Sequence, residues 1–382
     1  MYFYGRSMTC GSTAAEQPDS RRIIMERKSK KPGRRIAVGS AILVFIASLM
    51  AGAGAEALDI KFLIGNVSIT RDGKALAPDV NIRLLTGDLV VTGNGGIAVL
   101  AYKDGSEVKV LENSRVRIGS VAVPGSDDVS VISGNINAKF RKLAKGSERK
   151  VYTPTTVCSV RGTDFLVGVS DTADSRVDLS EGKLAVRNPY GAIKLEENQK
   201  TDIGLGEAPE KTDDAAGIND WKAAKDGELR KDPEGRGKKY QSYFNTLQKR
   251  NGSASGDLDG INKKLAKPGD KKELEKTGSD LDRLRQSVEE DMFLCEAAGS
   301  SIDGVLNRFK KDRDDIYNTF LTVKEESNKV LEQQRKNYEA LEAVRQAYKK
   351  AYDEIMKGHE ERIKKIKGGI DRESVRPEIK KK

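Results

Sequence analysis

Tyr152-Thr153-Pro154-Thr155-Thr156-Val157-Cys158-Ser159-Val160-Arg161-Gly162-Thr163-Asp164-Phe165 decides the fold. Apolar residues alternate on both sides of an Arg-Gly-Thr corner, with Val157 and Val160 before it and Phe165, Val167 and Val169 after it. A period of two describes half-buried strands, and Gly162 permits the positive φ that a corner between them asks for. Cys158 falls in the first strand, where a small buried hydrophobe is expected rather than a reactive thiol.

The same pattern extends outward on both sides. Val67 and Ile69 lead to a turn at Arg71-Asp72-Gly73, Leu84-Leu85 runs into Thr86-Gly87-Asp88, and Leu89-Val90-Val91 ends at Thr92-Gly93. Ile97, Val99 and Ala101, then Asp104-Gly105-Ser106, then Val108 and Val110 describe a hairpin. Val129 to Val131, Ile136 to Phe140, Val177 to Leu179 and Leu184 to Val186 supply later strands, the last two joined at Glu181-Gly182-Lys183. Short strands with turns every 8 to 15 residues or so predict an all-β sandwich or roll over residues 58–200.

These turns, in this order, resemble the FecR domain, an extracytoplasmic β module. The resemblance runs from Ile64 to Asn188 and is carried by Thr153-Pro154-Thr155, Val160-Arg161-Gly162-Thr163, Asp164-Phe165 and Asp104-Gly105-Ser106. It implies a β fold outside the cytoplasm and a structural or partner-binding role for those residues. FecR-type regulators carry a cytoplasmic anti-sigma region before a membrane span. Here at most about 35 residues precede the apolar segment, which is too short for a folded domain, so transcription signalling is not expected of this chain alone.

The leader agrees with that address. Arg27, Lys28, Lys30, Lys31, Arg34 and Arg35 form a basic region, Ile36 to Met50 an apolar one, and Ala55-Glu56-Ala57 a small-x-small site. A secretory signal peptide cut after Ala57 is expected, whose basic region has ordinary length if Met25 is the start, with an uncleaved anchor as the alternative. The net charge is +10, but residues 1–57 hold nine Lys/Arg against four Asp/Glu. Beyond the leader 59 basic side chains face 54 acidic ones, which argues against nucleic acid as a partner.

A hydrophobic fraction of 37% against 33% charged means that part of the chain is solvated. Residues 201–279, rich in Gly, Lys, Asp and Glu with Pro209, Pro233 and Pro268, read as a charged linker. Within it Tyr240, Tyr243, Phe244 and Leu247 have helical spacing, and Trp221 is placed to pack back on the β domain. From 280 to 358 a heptad emerges: Leu281, Val288, Cys295, Ile302, Phe309, Ile316, Val323, Val330, Asn337, Val344 and Ala351. The interleaved set, Arg285, Met292, Gly299, Leu306, Arg313, Phe320, Ser327, Gln334, Leu341, Tyr348 and Ile355, is mixed.

Gly299-Ser300-Ser301 is expected to interrupt the rod, with Ser300 and Asp303 capping a coiled-coil-like helix from Ser301 to Lys357, roughly 85 Å long at 1.5 Å per residue. Gly358 is expected to stop it before a basic tail, 359–382. The seam needs a cover: a second copy of the chain, the helix before Gly299 or a foreign partner. Homo-oligomerisation through residues 301–357 is the expectation.

Catalytic side chains are scarce. The chain has one histidine, His359, expected to be solvated beyond the helix end, and beyond the leader it keeps only Cys158 and Cys295, far apart. No zinc-type cluster or Cys-His pair can be composed from them. No enzyme activity and no cofactor are expected. Arg161 either meets an anionic ligand or an acidic partner, or pairs within the module with Asp164. The basic run Lys139, Arg141, Lys142, Lys145, Arg149 and Lys150 is expected to be a solvated face. The function expected is binding or scaffolding in the cell envelope, with a protein or a wall polymer as partner. A membrane-anchored signal sensor is the alternative.

Overall fold

The structure is a computed structural model. It describes residues 58–121, 123, 126–142, 148–267, 269–310 and 314–373, without the side chains of 314 and 366–373. The leader, Lys145, Pro268, Arg313 and the tail past Glu373 lie outside the described residues.

Seventeen strands are described: β1 (Leu58–Ile64), β2 (Val67–Arg71), β3 (Lys74–Leu76), β4 (Arg83–Leu84), β5 (Leu89–Thr92), β6 (Ile97–Ala101), β7 (Glu107–Val110), β8 (Arg115–Ile118), β9 (Val129–Phe140), β10 (Arg149–Tyr152), β11 (Val157–Val160), β12 (Thr163–Val169), β13 (Ser175–Glu181), β14 (Leu184–Asn188), β15 (Gly191–Leu195), β16 (Lys200–Ile203) and β17 (Glu210–Thr212). They form two sheets that share one strand. The first runs β4-β1-β6-β7-β9-β12-β13-β16-β17. The second runs β3-β2-β5-β8-β9-β10-β11-β14-β15, antiparallel except for the short β9–β10 pairing.

The stretches 129–131 and 136–140, read as separate strands, are one strand that changes sheets. Residues 129–133 of β9 pair in the second sheet and 134–140 in the first. The bend is at Gly134, with φ +89, where a Cβ would lie 2.4 Å from the Ser114 Cα, so only glycine fits. The Arg161-Gly162 corner does the same job, delivering β11 of the second sheet to β12 of the first with Gly162 at φ +85. Inward residues of both sheets, among them Ile60, Val90, Leu100, Val116, Val131, Cys158, Phe165, Val177 and Val186, interleave in one core.

Four helices follow: α1 (Ile218–Lys231), α2 (Pro233–Ala266), α3 (Lys271–Phe309) and α4 (Asp314–Glu373). The linker reading of 201–279 is therefore corrected. Its apolar residues are few but large, and Trp221, Leu229, Tyr240, Tyr243, Phe244, Leu247, Leu258 and Ile261 are all buried. One of the glycines that suggested disorder, Gly237, lets α2 approach α4, since a Cβ there would meet Thr319 at 2.6 Å. Asp232 and Asp270 cap α2 and α3 by accepting from the Gly235 and Glu273 N–H groups.

The expected break at Gly299 does not occur. α3 runs through it, and the chain turns after Phe309. Ala297 to Ile302 are all buried because these small side chains allow close packing, with Lys324 Nζ donating to the Gly299 carbonyl (2.9 Å) and Tyr240 meeting Ser301 (2.7 Å). Ser300 is thus a mid-helix residue and not a cap. α3 and α4 are antiparallel, with Lys324 opposite Gly299 and Glu342 opposite Arg285, whereas Gln241–Glu326 and Asn251–Asn337 set α2 parallel to α4.

The heptad residues Leu281 to Val330, with Val344, are buried in this three-helix bundle. The seam has its cover in its own chain. α4 continues past Gly358, placing His359 on an exposed stretch of helix rather than beyond its end. No helix among the described residues is long and apolar enough to cross a membrane.

Candidate partner-binding face

The motif residues do three different things. Val160, Thr163 and Phe165 are buried, with Phe165 stacked on Phe140 in the core. Thr153, Pro154 and Thr155 form a buried turn. Thr153 Oγ1 accepts from the N–H groups of Thr155 (3.2 Å) and Thr156 (3.1 Å) and from Ser175 Oγ (2.7 Å). The bundle closes over this turn, where Tyr243 donates its hydroxyl to the Pro154 carbonyl (2.8 Å) and Tyr152 stacks on Phe293 with centroids 3.9 Å apart.

Asp104-Gly105-Ser106 is the β6–β7 turn, closed by the Ser106 N–H on Asp104 (2.8 Å). Asp104 also meets Arg149, whose guanidinium lies over the Tyr102 ring. Burial pushes the Asp104 carboxyl up, but hydrogen bonds from Arg149 and Ser106 outweigh it and leave the group below the usual carboxylate range.

Arg161 alone of the motif is an exposed side chain, and it does not pair with Asp164, which instead meets Lys139 at 3.2 Å. The basic run is divided as well: Lys139, Arg141 and Lys142 are exposed, whereas Arg149 is buried on Asp104 and Lys150 is held by Glu290. Cys158 is buried and its thiol is pushed up to about 12 by burial. Burial likewise pushes the Cys295 thiol far up. Neither is a ready nucleophile. Among the described residues no three His, Cys, Asp or Glu are grouped to hold a metal ion.

Strand register places Arg117, Ser130, Tyr152, Val157, Arg187 and Ala192 in one row across the outer face of the second sheet. Lys150, Ser159, Ala185 and Lys194 form the next row. This face is cationic, and α3 lies over part of it with acidic side chains. Glu290 takes Lys150 (2.8 Å) and Arg187 (2.5 Å), and Glu296 takes Arg117 (2.7 Å) and Ser120 (2.5 Å). Burial raises the Glu290 carboxyl, but hydrogen bonds and charge from Arg187 and Lys150 prevail and hold it below its ordinary value. Arg187 is raised in turn: its own desolvation is outweighed by Glu290.

Sequence reasoning missed this docking, although the alternation Arg115-Val116-Arg117-Ile118 already marks Arg115 and Arg117 as outward. Arg176 was also missed: it is fully buried on Asp202 (2.6 Å) and Asp214 (2.7 Å) with Trp221 against it, which fastens the start of α1 to the β head as read for the tryptophan.

Residues 88–185 match the family model described as FecR protein. The chain therefore contains a FecR domain, and the matched span takes in both the Asp104–Ser106 turn and the Thr153–Phe165 motif. No curated protein matches the chain. Among solved structures it is similar to two crystal structures of a candidate anti-sigma factor from Parabacteroides distasonis ATCC 8503, at 1.65 and 2.50 Å resolution. Each shares 18% identity with a TM-score of 0.29, covering 35% of this chain and 63% of that one. At that score the likeness carries no argument about this chain.

Proposed function

We propose that this chain is a non-enzymatic, exported FecR-domain protein of the cell envelope, which binds or scaffolds a partner through its β head. The observation that supports it is the cationic outer face of the second sheet. That face is built for contact with carboxylates, and the chain uses part of it to seat its own helical bundle. The bundle is a rigid mount for the head rather than a tether. Export is tested by N-terminal sequencing of the mature protein, which should begin at Leu58. Photocrosslinking in intact cells from positions on the open part of the face should capture an envelope component, and capture of nothing from any head position would overturn the binding role. A membrane-anchored signalling protein with the leader retained is the second reading, favoured by the FecR match itself. A mature chain that still contains residues before 58 selects it.

A further inference from the structure

The cationic face extends beyond α3. Past Arg187, Lys194 lies in the row shared with Lys150, and between them stand only Ser159 and Ala185, a floor of small side chains. Arg161 rises at the end of β11. Together with Lys183 and Arg187 these residues line an open cleft of about 490 Å³. Its two carboxylates are already engaged, Glu196 by Lys183 at 2.8 Å and Glu148 by Arg187 at 3.9 Å. Arg161 and Lys194 are exposed and pair with none of the described residues.

On the covered part, one glutamate on a helix satisfies two cations, Lys150 and Arg187. The open part repeats that arrangement with two cations flanking a shallow floor and no glutamate above them. From this we infer that the cleft of Arg161 and Lys194 docks an acidic segment of a partner protein, whose carboxylate would bridge the two as Glu290 bridges Lys150 and Arg187. The inference deepens the binding role proposed above and rests on it. A guanidinium and an ammonium on opposite sides of one cleft suit a carboxylate by charge and by hydrogen bonding, and the small floor leaves room for a backbone to lie across the strands.

The test uses the purified full chain and a fluorescein-labelled twelve-residue Glu/Ala peptide, with the Gln/Ala version and polyphosphate of matched charge as comparators. The wild type and the Arg161→Lys/Lys194→Arg variant should bind the Glu peptide and not the Gln peptide. Arg161→Glu with Lys194→Glu should weaken binding at least tenfold, and Lys74→Glu with Lys109→Glu, exposed lysines elsewhere, less than twofold. Both sites are exposed, so melting should be unchanged; where it is not, Arg161→Gln with Lys194→Gln replaces the reversal.

Equal binding by the reversed variant, or no binding by the wild type, overturns the site. Polyphosphate binding as tightly through the same two residues overturns the protein partner in favour of a phosphate polymer. Failed export would leave these in vitro results unmoved. A failed peptide with crosslinking intact would move the contact to another face.

Discussion

At Gly134 and Gly162 the backbone changes sheets, and the two positions differ in what a side chain would meet. A Cβ at 162 would lie 3.0 Å from the Lys142 Cα, a tight contact relieved by a shift of a few tenths of an ångström, whereas one at 134 would lie 2.4 Å from the Ser114 Cα. Gly162→Ala should therefore cost about 1–2 kcal/mol, the penalty of a left-handed alanine, and Gly134→Ala on the order of 3 kcal/mol or more, because backbone must move. Denaturant unfolding of the two variants should rank them in that order. Tyr243→Phe leaves the Pro154 carbonyl without its donor in a buried turn. A loss of about 1 kcal/mol is expected from the same measurement.

Between elements, the joint of head and bundle is charge-matched. Glu290 lies between Lys150 and Arg187, all three largely shielded from water. Glu290→Gln leaves Lys150 without a carboxylate and Arg187 with only the longer contact to Glu148 (3.9 Å), and should destabilise the joint by about 2 kcal/mol, less than for a fully dry pair because Arg187 keeps some solvent. Faster amide exchange in 150–157 and in the facing stretch of α3, with the head core unchanged, is the expected signature. The bundle gives a second expectation. α2 covers the α3–α4 seam, so a fragment beginning at Lys271 exposes Cys295, Phe320 and Val323 and should self-associate by sedimentation, whereas the chain with α2 in place should not do so through that seam.

The whole molecule couples these parts to pH. Burial pushes Asp128 up to about 6, only partly offset by the Lys150 N–H and charge, and pushes Asp291 up to about 6 against the pull of Arg250. Unfolded, both carboxyls titrate near 4. Their folded values are raised, so the stabilising proton is fully bound below about 4 and lost as pH rises through about 6. Stability should thus increase on acidification, by about 1.4 kcal/mol per group from pH 7 to 5 and by at most about 3 kcal/mol per group once the pH is below about 4. Glu290 and Asp104 have the opposite sign: their folded values are depressed, and their contribution disappears as pH falls below about 4. Melting temperature should therefore rise from pH 7 to a maximum between about pH 4 and 5, and Asp128→Asn with Asp291→Asn should flatten the rise between 7 and 5.

Read from the sequence alone, period-two alternation, the glycine corner at 162 and the ordered turns determined the β head, its FecR class and the inward residues, because each of those signals is local in the chain. The heptad likewise marked the buried side of α3 and α4. Only the tertiary structure decided that Gly299 to Ser301 are packing residues and not a break, that 218–266 is folded, and that the seam is sheathed by the same chain. It also decided which cations of the second sheet meet α3 and which remain open. Each of those outcomes depends on what stands opposite a residue, and neither composition nor spacing records the surface that a long-range neighbour brings.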